Sequence, residues 1–442
     1  MSFGQGASRL LFPLTERLEG RRIRPKLARL RAEAGDTPER RRQRQRERLA
    51  AVCRHAGAHV PHYRELFARC RFEPGRLIHE PEALAALPPL DRDTLIEVGP
   101  RLLDERLDRG ALHPRRTGGS TGRSARIYYS QEALDWTAAA NLWVRERAGK
   151  APFRAEVHLS TALEIDVPWR DRVRERVKCA ALNRTNLPIA SWDAHTLDAL
   201  HRDLARARPC LVQSHPSTMH RLARHVWEGG GLAAPLFAIF ESTGETLDPD
   251  ARKTIEDVLG CTVVDRYGSA EFGVVACERP GGRPGMEILD GLVAAETLPA
   301  ADGREELVLT GLRNPAMPLI RYRTGDLAKL ACEPEEAAGR IVAIHGRIHD
   351  AVPIGGQCVP SHVIQDRLDR LGCIDEFQVE VSSDRRPRLR VAAPQADHGR
   401  IRRGVHAWWG DELELEFTSG DRFVRSGWRG KFRHVVGPEG RP

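Results

Sequence analysis

Apolar and polar positions change pattern several times along the chain. Over the first hundred residues they recur at helical spacing between proline turns, with Pro88-Pro89 closing one segment and Leu90-Asp91 capping the next. From Glu156 short apolar runs at 210–212, 236–240 and 262–264 alternate with helix-length stretches at 217–227 and 248–259. That alternation predicts a mostly parallel sheet covered by helices. From about Gly282 to Leu330 the chain turns strand-rich, with 306–310 and 319–322 its clearest strands. Beyond Arg347 a separate small unit is predicted: strands at 377–381, 389–392 and 412–417 and a helix over 396–408. The expected fold class is α/β. A large N-terminal domain, 1–346, combines mostly parallel sheets covered by helices with a strand-rich subdomain, and a small mobile α+β domain occupies 347–442.

Length agrees with this division, since 442 residues correspond to two or three domains of ordinary size. Hydrophobic residues at 41% and charged residues at 29% exclude a disordered or collagen-like chain. No apolar run approaches a membrane span, and the stretch from Leu10 to Leu14 is too short for a signal segment, so the expectation is a cytoplasmic protein. Nine cysteines without one C-x-x-C pair predict free buried thiols and no redox role. The net charge is +8, with the densest basic run at 39–48. Read as a helix, that run is the solvated face of an amphipathic segment rather than a nucleic-acid site. Only six basic residues are lysine, so any lysine retained among so many arginines is a candidate for a compact point charge.

Five motifs carry candidate chemistry. Thr117, Gly118, Gly119, Ser120, Thr121 and Gly122 offer backbone N–H groups and hydroxyls that can ring a phosphate, although the loop lacks the lysine of a Walker A motif. Tyr267, Gly268, Ser269, Ala270 and Glu271 follow a predicted strand, and a carboxylate at a strand end can hold magnesium. Asp326, in Tyr322-Arg323-Thr324-Gly325-Asp326, can accept hydrogen bonds from two vicinal ribose hydroxyls. Gly346-Arg347 with Asp350, Gly355-Gly356 and Pro360 reads as a hinge. The last motif is Gly430-Lys431-Phe432-Arg433.

In this order the five motifs resemble the adenylate-forming (acyl-CoA synthetase-like) ligases, most closely their phenylacetate-CoA ligase-like branch, which includes homologues found with capsular polysaccharide synthesis. Val60 to Arg64, Leu87 to Leu90, Ser214 to Ser217, Thr243 to Glu245 and Asn314 to Tyr322 extend the resemblance over nearly the whole chain. It implies an ATP-dependent, AMP-forming acid–thiol ligase that makes an acyl-adenylate and transfers the acyl group, with coenzyme A as the expected acceptor. Thr117 to Gly122 would wrap the triphosphate, Thr243, Gly244 and Glu245 would border the adenine, and Glu271 would coordinate magnesium. Asp326 would hold the ribose, Arg347 would contact the nucleotide at the domain junction, and Lys431 would serve adenylation. Carboxylate attack on the α-phosphate needs such groups to disperse the charge that builds there and on pyrophosphate.

The chain departs from the family pattern in places. Ala270 replaces a hydroxyl residue, and His349 replaces the usual acidic residue or lysine two positions after Arg347, at the hinge. Cys277 and Cys332 remain of a zinc-binding pattern, but Met286 replaces its histidine, so no structural zinc is expected. The expected partners are a small carboxylic acid and a nucleotide. Transfer to an amine, a hydroxyl or a carrier-protein thiol would share the first half-reaction. A nucleotide binder that has lost catalysis and a basic nucleic-acid-binding protein are the rivals from other classes.

Overall fold

The computed structural model describes residues 3–116, 125–160, 169–189, 194–231, 234–300, 303–333, 336–347 and 351–360, and beyond these 364, 367–368, 371, 374, 376–382, 386–419, 422–426, 431–432 and 434–437. The N-terminal region is helical: α1 (Phe3–Leu18), α2 (Ile23–Ala34), α3 (Pro38–His59), α4 (Pro61–Cys70) and α5 (Arg92–Val98). Asp91 caps α5 by accepting from the Thr94 N–H at 2.8 Å, as Leu90-Asp91 predicted. A short hairpin, β1 (His113–Arg116) with β2 (Arg126–Tyr129), precedes the long helix α6 (Gln131–Arg147).

The centre of the molecule is one 11-stranded sheet. Its first half is the parallel set β3 (Glu156–Ser160), β4 (Arg184–Pro188), β5 (Leu211–Ser214), β6 (Ile239–Thr243) and β7 (Thr262–Ser269). The connecting helices are α7 (Trp169–Leu182), α8 (Ala194–Ala207), α9 (Pro216–Glu228) and α10 (Pro249–Leu259). The second half is antiparallel: β8 (Gly273–Cys277), β9 (Met286–Ile288), β10 (Val293–Pro299), β11 (Glu305–Gly311), β12 (Tyr322–Ala331) and β13 (Arg340–Arg347). The sheet changes from parallel to antiparallel at β7, where the candidate site begins.

A hairpin, β14 (Ala351–Ile354) with β15 (Gln357–Pro360), leads to a separate four-stranded sheet of β16 (Glu376–Glu380), β17 (Arg388–Ala392), β18 (Glu414–Phe417) and β21 (Val435–Val436). Helix α11 (His398–Trp409) and a two-stranded ribbon, β19 (Arg425–Ser426) with β20 (Lys431–Phe432), are the further elements named among the described residues there. Val352, Phe377, Val379, Leu389, Val391, Ile401 and Val405 form a core of their own there. Arg221 on α9 bridges to Glu376 on β16 at 2.6 Å, tying the two sheets' surroundings together. Among the described residues no helix is long and apolar enough to cross a membrane.

Three expectations are corrected. Residues 319–321 are not strand; the strand starts at Tyr322 and runs through Ala331. Arg321 turns the chain in the left-handed region (φ +51°), and its buried guanidinium is held by Glu296 at 2.9 Å and by the Leu87 carbonyl. The run is apolar because helices and loops cover it, not because it lies in a sheet. Similarly, 236–238 precede the strand, and Leu236 and Phe237 are buried among the helices flanking β6. The basic run lies on α3 as expected, yet most of it is not a free solvated face. Arg41 pairs with Asp290 at 2.9 Å, Arg44 with Asp36, Arg48 with Glu33, and Arg42 donates to the Glu336 carbonyl at 3.1 Å. The arginines clamp α3 to α2 and to the antiparallel half of the sheet.

Candidate functional site

The carboxyl ends of parallel strands expose backbone groups that no further strand covers, and ligands collect there. In this chain β5, β6 and β7 end side by side. Thr243 is the register partner of Arg266, which places the 243–245 turn against Tyr267. His215, at the start of α9, has Nδ1 2.8 Å from the Thr243 carbonyl, and Glu245 accepts from the Ser217 N–H at 3.3 Å. Gly244 adopts φ +88°, a conformation that allows the turn to fold back over α9 at little cost.

The second wall comes from the antiparallel half. The Tyr267 hydroxyl donates to Asp326 on β12 at 2.5 Å, and the Tyr322 hydroxyl donates to Glu271 at 3.3 Å. Two motifs more than fifty residues apart are thereby cross-linked twice. Asp326 is 8% exposed, and its backbone partner across the β12–β13 ladder is Arg347. Thr324 donates to the Leu307 carbonyl at 2.8 Å and accepts from the Asp326 N–H at 3.1 Å, which orients the Asp326 backbone. Gly268 is required for a different reason: a Cβ there would stand 2.4 Å from the Gly273 carbonyl, so only glycine lets β7 and β8 approach this closely.

A buried ionic lattice lies beneath these ends. Arg145 on α6 donates to Glu241 at 2.6 Å, to Glu156 at 2.9 Å and to Gln213 at 2.9 Å, while Lys150 reaches Glu156 at 3.1 Å and Arg266 reaches Glu241 at 2.5 Å. Burial by itself would raise both carboxyls; the guanidinium of Arg145, with Lys150 and Arg266, overrides it and holds them below the usual carboxylate range. Burial and the same arginine push His158 down to about 4. Asp265 has no guanidinium so close, and burial pushes it up to about 6 against hydrogen bonds from the Ser242 hydroxyl and the Arg266 N–H.

Of the sequence-predicted residues, Thr243, Gly244, Glu245, Tyr267, Gly268, Ser269, Glu271 and Asp326 converge, and the Arg347 backbone joins them. The glycine loop, Thr117, Gly118, Gly119, Ser120, Thr121 and Gly122, lies outside the described residues, as does His349. Lys431 is placed by its backbone alone, opposite Ser426 in the β19–β20 ribbon, and the side chains of Lys431 and Arg347 are outside the described set. The sequence reading assigned no role to Tyr129, Tyr322 or His215. Tyr129 donates to the Ala270 carbonyl at 2.6 Å, so the position lacking a hydroxyl is held through its backbone instead. The chain contains only five tyrosines, and three of them hold the 267–271 and 322–326 motifs, a signal that composition by itself contains.

Two hydroxyls at the site, Ser217 Oγ and Ser269 Oγ, are buried without a hydrogen-bond partner among the described residues. An unmet buried hydroxyl is costly, and a polar ligand bordered by both turns would relieve it. Among the described residues no three His, Cys, Asp or Glu side chains cluster as a metal cage. A single carboxylate, Glu271, fits magnesium held chiefly by a substrate's phosphates. Beside Glu271 a cavity of about 30 Å³ is lined by Tyr129, Trp136, Phe272, Met317 and Leu319, with Thr137, Arg313 and Asn314 among its polar side chains.

Comparison with known proteins shows what this chain is similar to. The chain is 28% identical over 352 residues to the phenylacetate-coenzyme A ligase of Pseudomonas putida, covering 76% of this chain and 77% of that protein. This chain is similar to the adenylate-forming ligases, in their phenylacetate-CoA ligase-like branch. It is also 25% identical over 218 residues to Protein CapK of Staphylococcus aureus, 49% of this chain and 48% of that one. The fold of the chain matches 2-hydroxyisobutyryl-CoA ligase at 19% identity over 89% of each chain, with a TM-score of 0.66 for the postadenylation state holding 2-HIB-AMP. The same ligase in its thioesterification state with CoA matches at 0.58, with 20% identity and 90% of each chain covered. No family model matches the chain.

Proposed function

We propose that the chain activates a carboxylic acid with ATP, releasing pyrophosphate and forming an acyl-adenylate, and then transfers the acyl group to the thiol of coenzyme A. One observation carries the reading: the Tyr267–Asp326 and Tyr322–Glu271 bonds draw the ribose-type carboxylate and the magnesium-type carboxylate to one cleft at the switch between the two halves of the sheet. Relatives named as phenylacetate-coenzyme A ligases support the acceptor, and the neighbouring fold binds an acyl-AMP.

Asp326 accepts from the ribose hydroxyls, Thr243 to Glu245 border the adenine, and Ser217 and Ser269 offer their unmet hydroxyls to the bound nucleotide. Thr117 to Gly122 close over the phosphates. Glu271 would hold magnesium, which would supply charge to the phosphate oxygens. The chain divides at the junction into 1–346, which binds ATP and acid, and 347–442, which moves between half-reactions about His349. Lys431, from the small unit, places a point charge between the acid and the α-phosphate, and Arg347 meets the nucleotide at the hinge. The apolar wall formed by Trp136, Phe272 and Met317 beside Glu271 borders the acid.

Acid-dependent exchange of labelled pyrophosphate into ATP, run across aryl and aliphatic acids, tests the first half-reaction. The reading requires exchange with at least one acid, dependence on magnesium, and loss in Asp326→Ala. A folded protein that binds ATP yet exchanges with none would reduce the chain to a nucleotide binder.

A further inference from the structure

Nine large apolar side chains are exposed among the described residues, and six fall on just two helices. On α1, Leu10, Leu14 and Leu18 are 77%, 52% and 77% exposed; on α7, Trp169, Val173 and Val177 are 64%, 47% and 47% exposed. Each set recurs every fourth residue, which on a helix is a single stripe. Both stripes point outward, because Ser8, Phe12 and Glu16 form the buried side of α1 and Ala181 is the buried residue of α7. The helices run antiparallel against each other: the Ser8 hydroxyl donates to the Ala180 carbonyl at 2.7 Å, and Arg174 reaches Glu19 at 3.3 Å. The two helices therefore sit together on one flank, each turning its stripe to solvent.

Charge identifies the occupant. Helix α7 carries Arg170, Arg172, Arg174, Arg176 and Lys178 against Asp171 and Glu175, and all five basic side chains are exposed. Glu175 is already engaged by Lys178 and Arg184. The arginines fall on both sides of the Trp169–Val173–Val177 row, and Arg9 and Arg17 stand exposed beside the leucines of α1. A second copy docked by two-fold symmetry would set these basic rows against themselves. Aliphatic side chains at the centre, a tryptophan at one end and arginines along the full length make up a helix face that rests in a lipid interface and is drawn there by anionic headgroups.

We propose that this α1–α7 face docks the protein on an anionic lipid surface, its leucines, valines and tryptophan entering the headgroup boundary and its arginines meeting the phosphates. The assignment is independent of the proposed chemistry. Cosedimentation of the full chain with vesicles of phosphatidylcholine and phosphatidylglycerol, against phosphatidylcholine alone, tests it. Binding to the anionic vesicles should be tighter by at least about tenfold and should weaken as salt rises. Leu14→Glu with Val173→Glu should reduce it at least about fivefold, and Arg172→Glu with Arg176→Glu should remove the preference for anionic lipid, both with unchanged circular dichroism. Equal binding to both vesicles, or binding that neither pair of substitutions alters, would overturn the proposal. A concentration-dependent dimer in sedimentation velocity that Leu14→Glu with Val173→Glu dissolves would assign the face to a second copy and overturn it equally.

Discussion

Arg145 is the hub of the buried lattice beneath the strand ends, and its replacement by methionine tests how those ends are held. Methionine keeps most of the side chain's length and removes the fork that donates to Glu241, Glu156 and Gln213 at 2.6–2.9 Å. Breaking a buried pair costs about 3–5 kcal/mol, chiefly because a carboxylate is left buried and uncompensated. Here the two carboxylates keep one cation each, Lys150 on Glu156 and Arg266 on Glu241, which points to the lower end, about 3 kcal/mol. Urea denaturation followed by tryptophan fluorescence reads the loss, since Trp136 and Trp143 lie on the same helix. The sign with pH is determined as well. Both carboxyls are held below their unfolded values, so their contribution is present above the ordinary glutamate range and is lost as pH falls through the folded values. The variant has already lost part of it, so the gap between variant and parent should narrow on acidification. A loss below about 1 kcal/mol at neutral pH, or a gap that does not change with pH, would show that the lattice is not ionic in the sense argued.

Asp265→Asn should behave in the opposite sense. The Asp265 carboxyl is raised by burial from 3.8 to about 6, so the stability of its protonated form is present below about pH 4 and is lost as pH rises through 6. Asparagine avoids that loss, and denaturation curves should show an advantage growing from near zero at low pH to at most about 3 kcal/mol above pH 7, two units at about 1.36 each. Asp326→Ala should weaken ATP binding by roughly 1–3 kcal/mol, about five- to 150-fold, and leave acid binding little changed; calorimetric titration checks both. Lys431→Ala should slow adenylate formation at least about 100-fold, some 2.7 kcal/mol, yet still convert supplied acyl-adenylate to thioester, as single-turnover assays of each half-reaction would report.

The sequence by itself determined a good deal of this protein. Helical periodicity placed α9 and α10 to within a residue or two, because an amphipathic helix over a sheet must repeat its apolar face every three to four positions. The carboxylate at 271 and the turn at 243–245 were legible because each follows an apolar run, in a family order; Asp326, expected at a strand end, lies instead inside β12. Tertiary structure decided what local pattern cannot carry. Residues 319–321 read as strand because burial, not pleat, makes them apolar, and Arg321 turns there only because Glu296 and the Leu87 carbonyl receive its guanidinium. The arginines of α3 became clamps because acids from α2 and from the loop after β9 approach them in space. Pairing of Tyr267 with Asp326 and of Tyr322 with Glu271 required the register of an 11-stranded sheet to close a gap of more than fifty residues. Spacing along a chain encodes which side chains share a face; only packing determines which distant faces meet, and the site is made where they do.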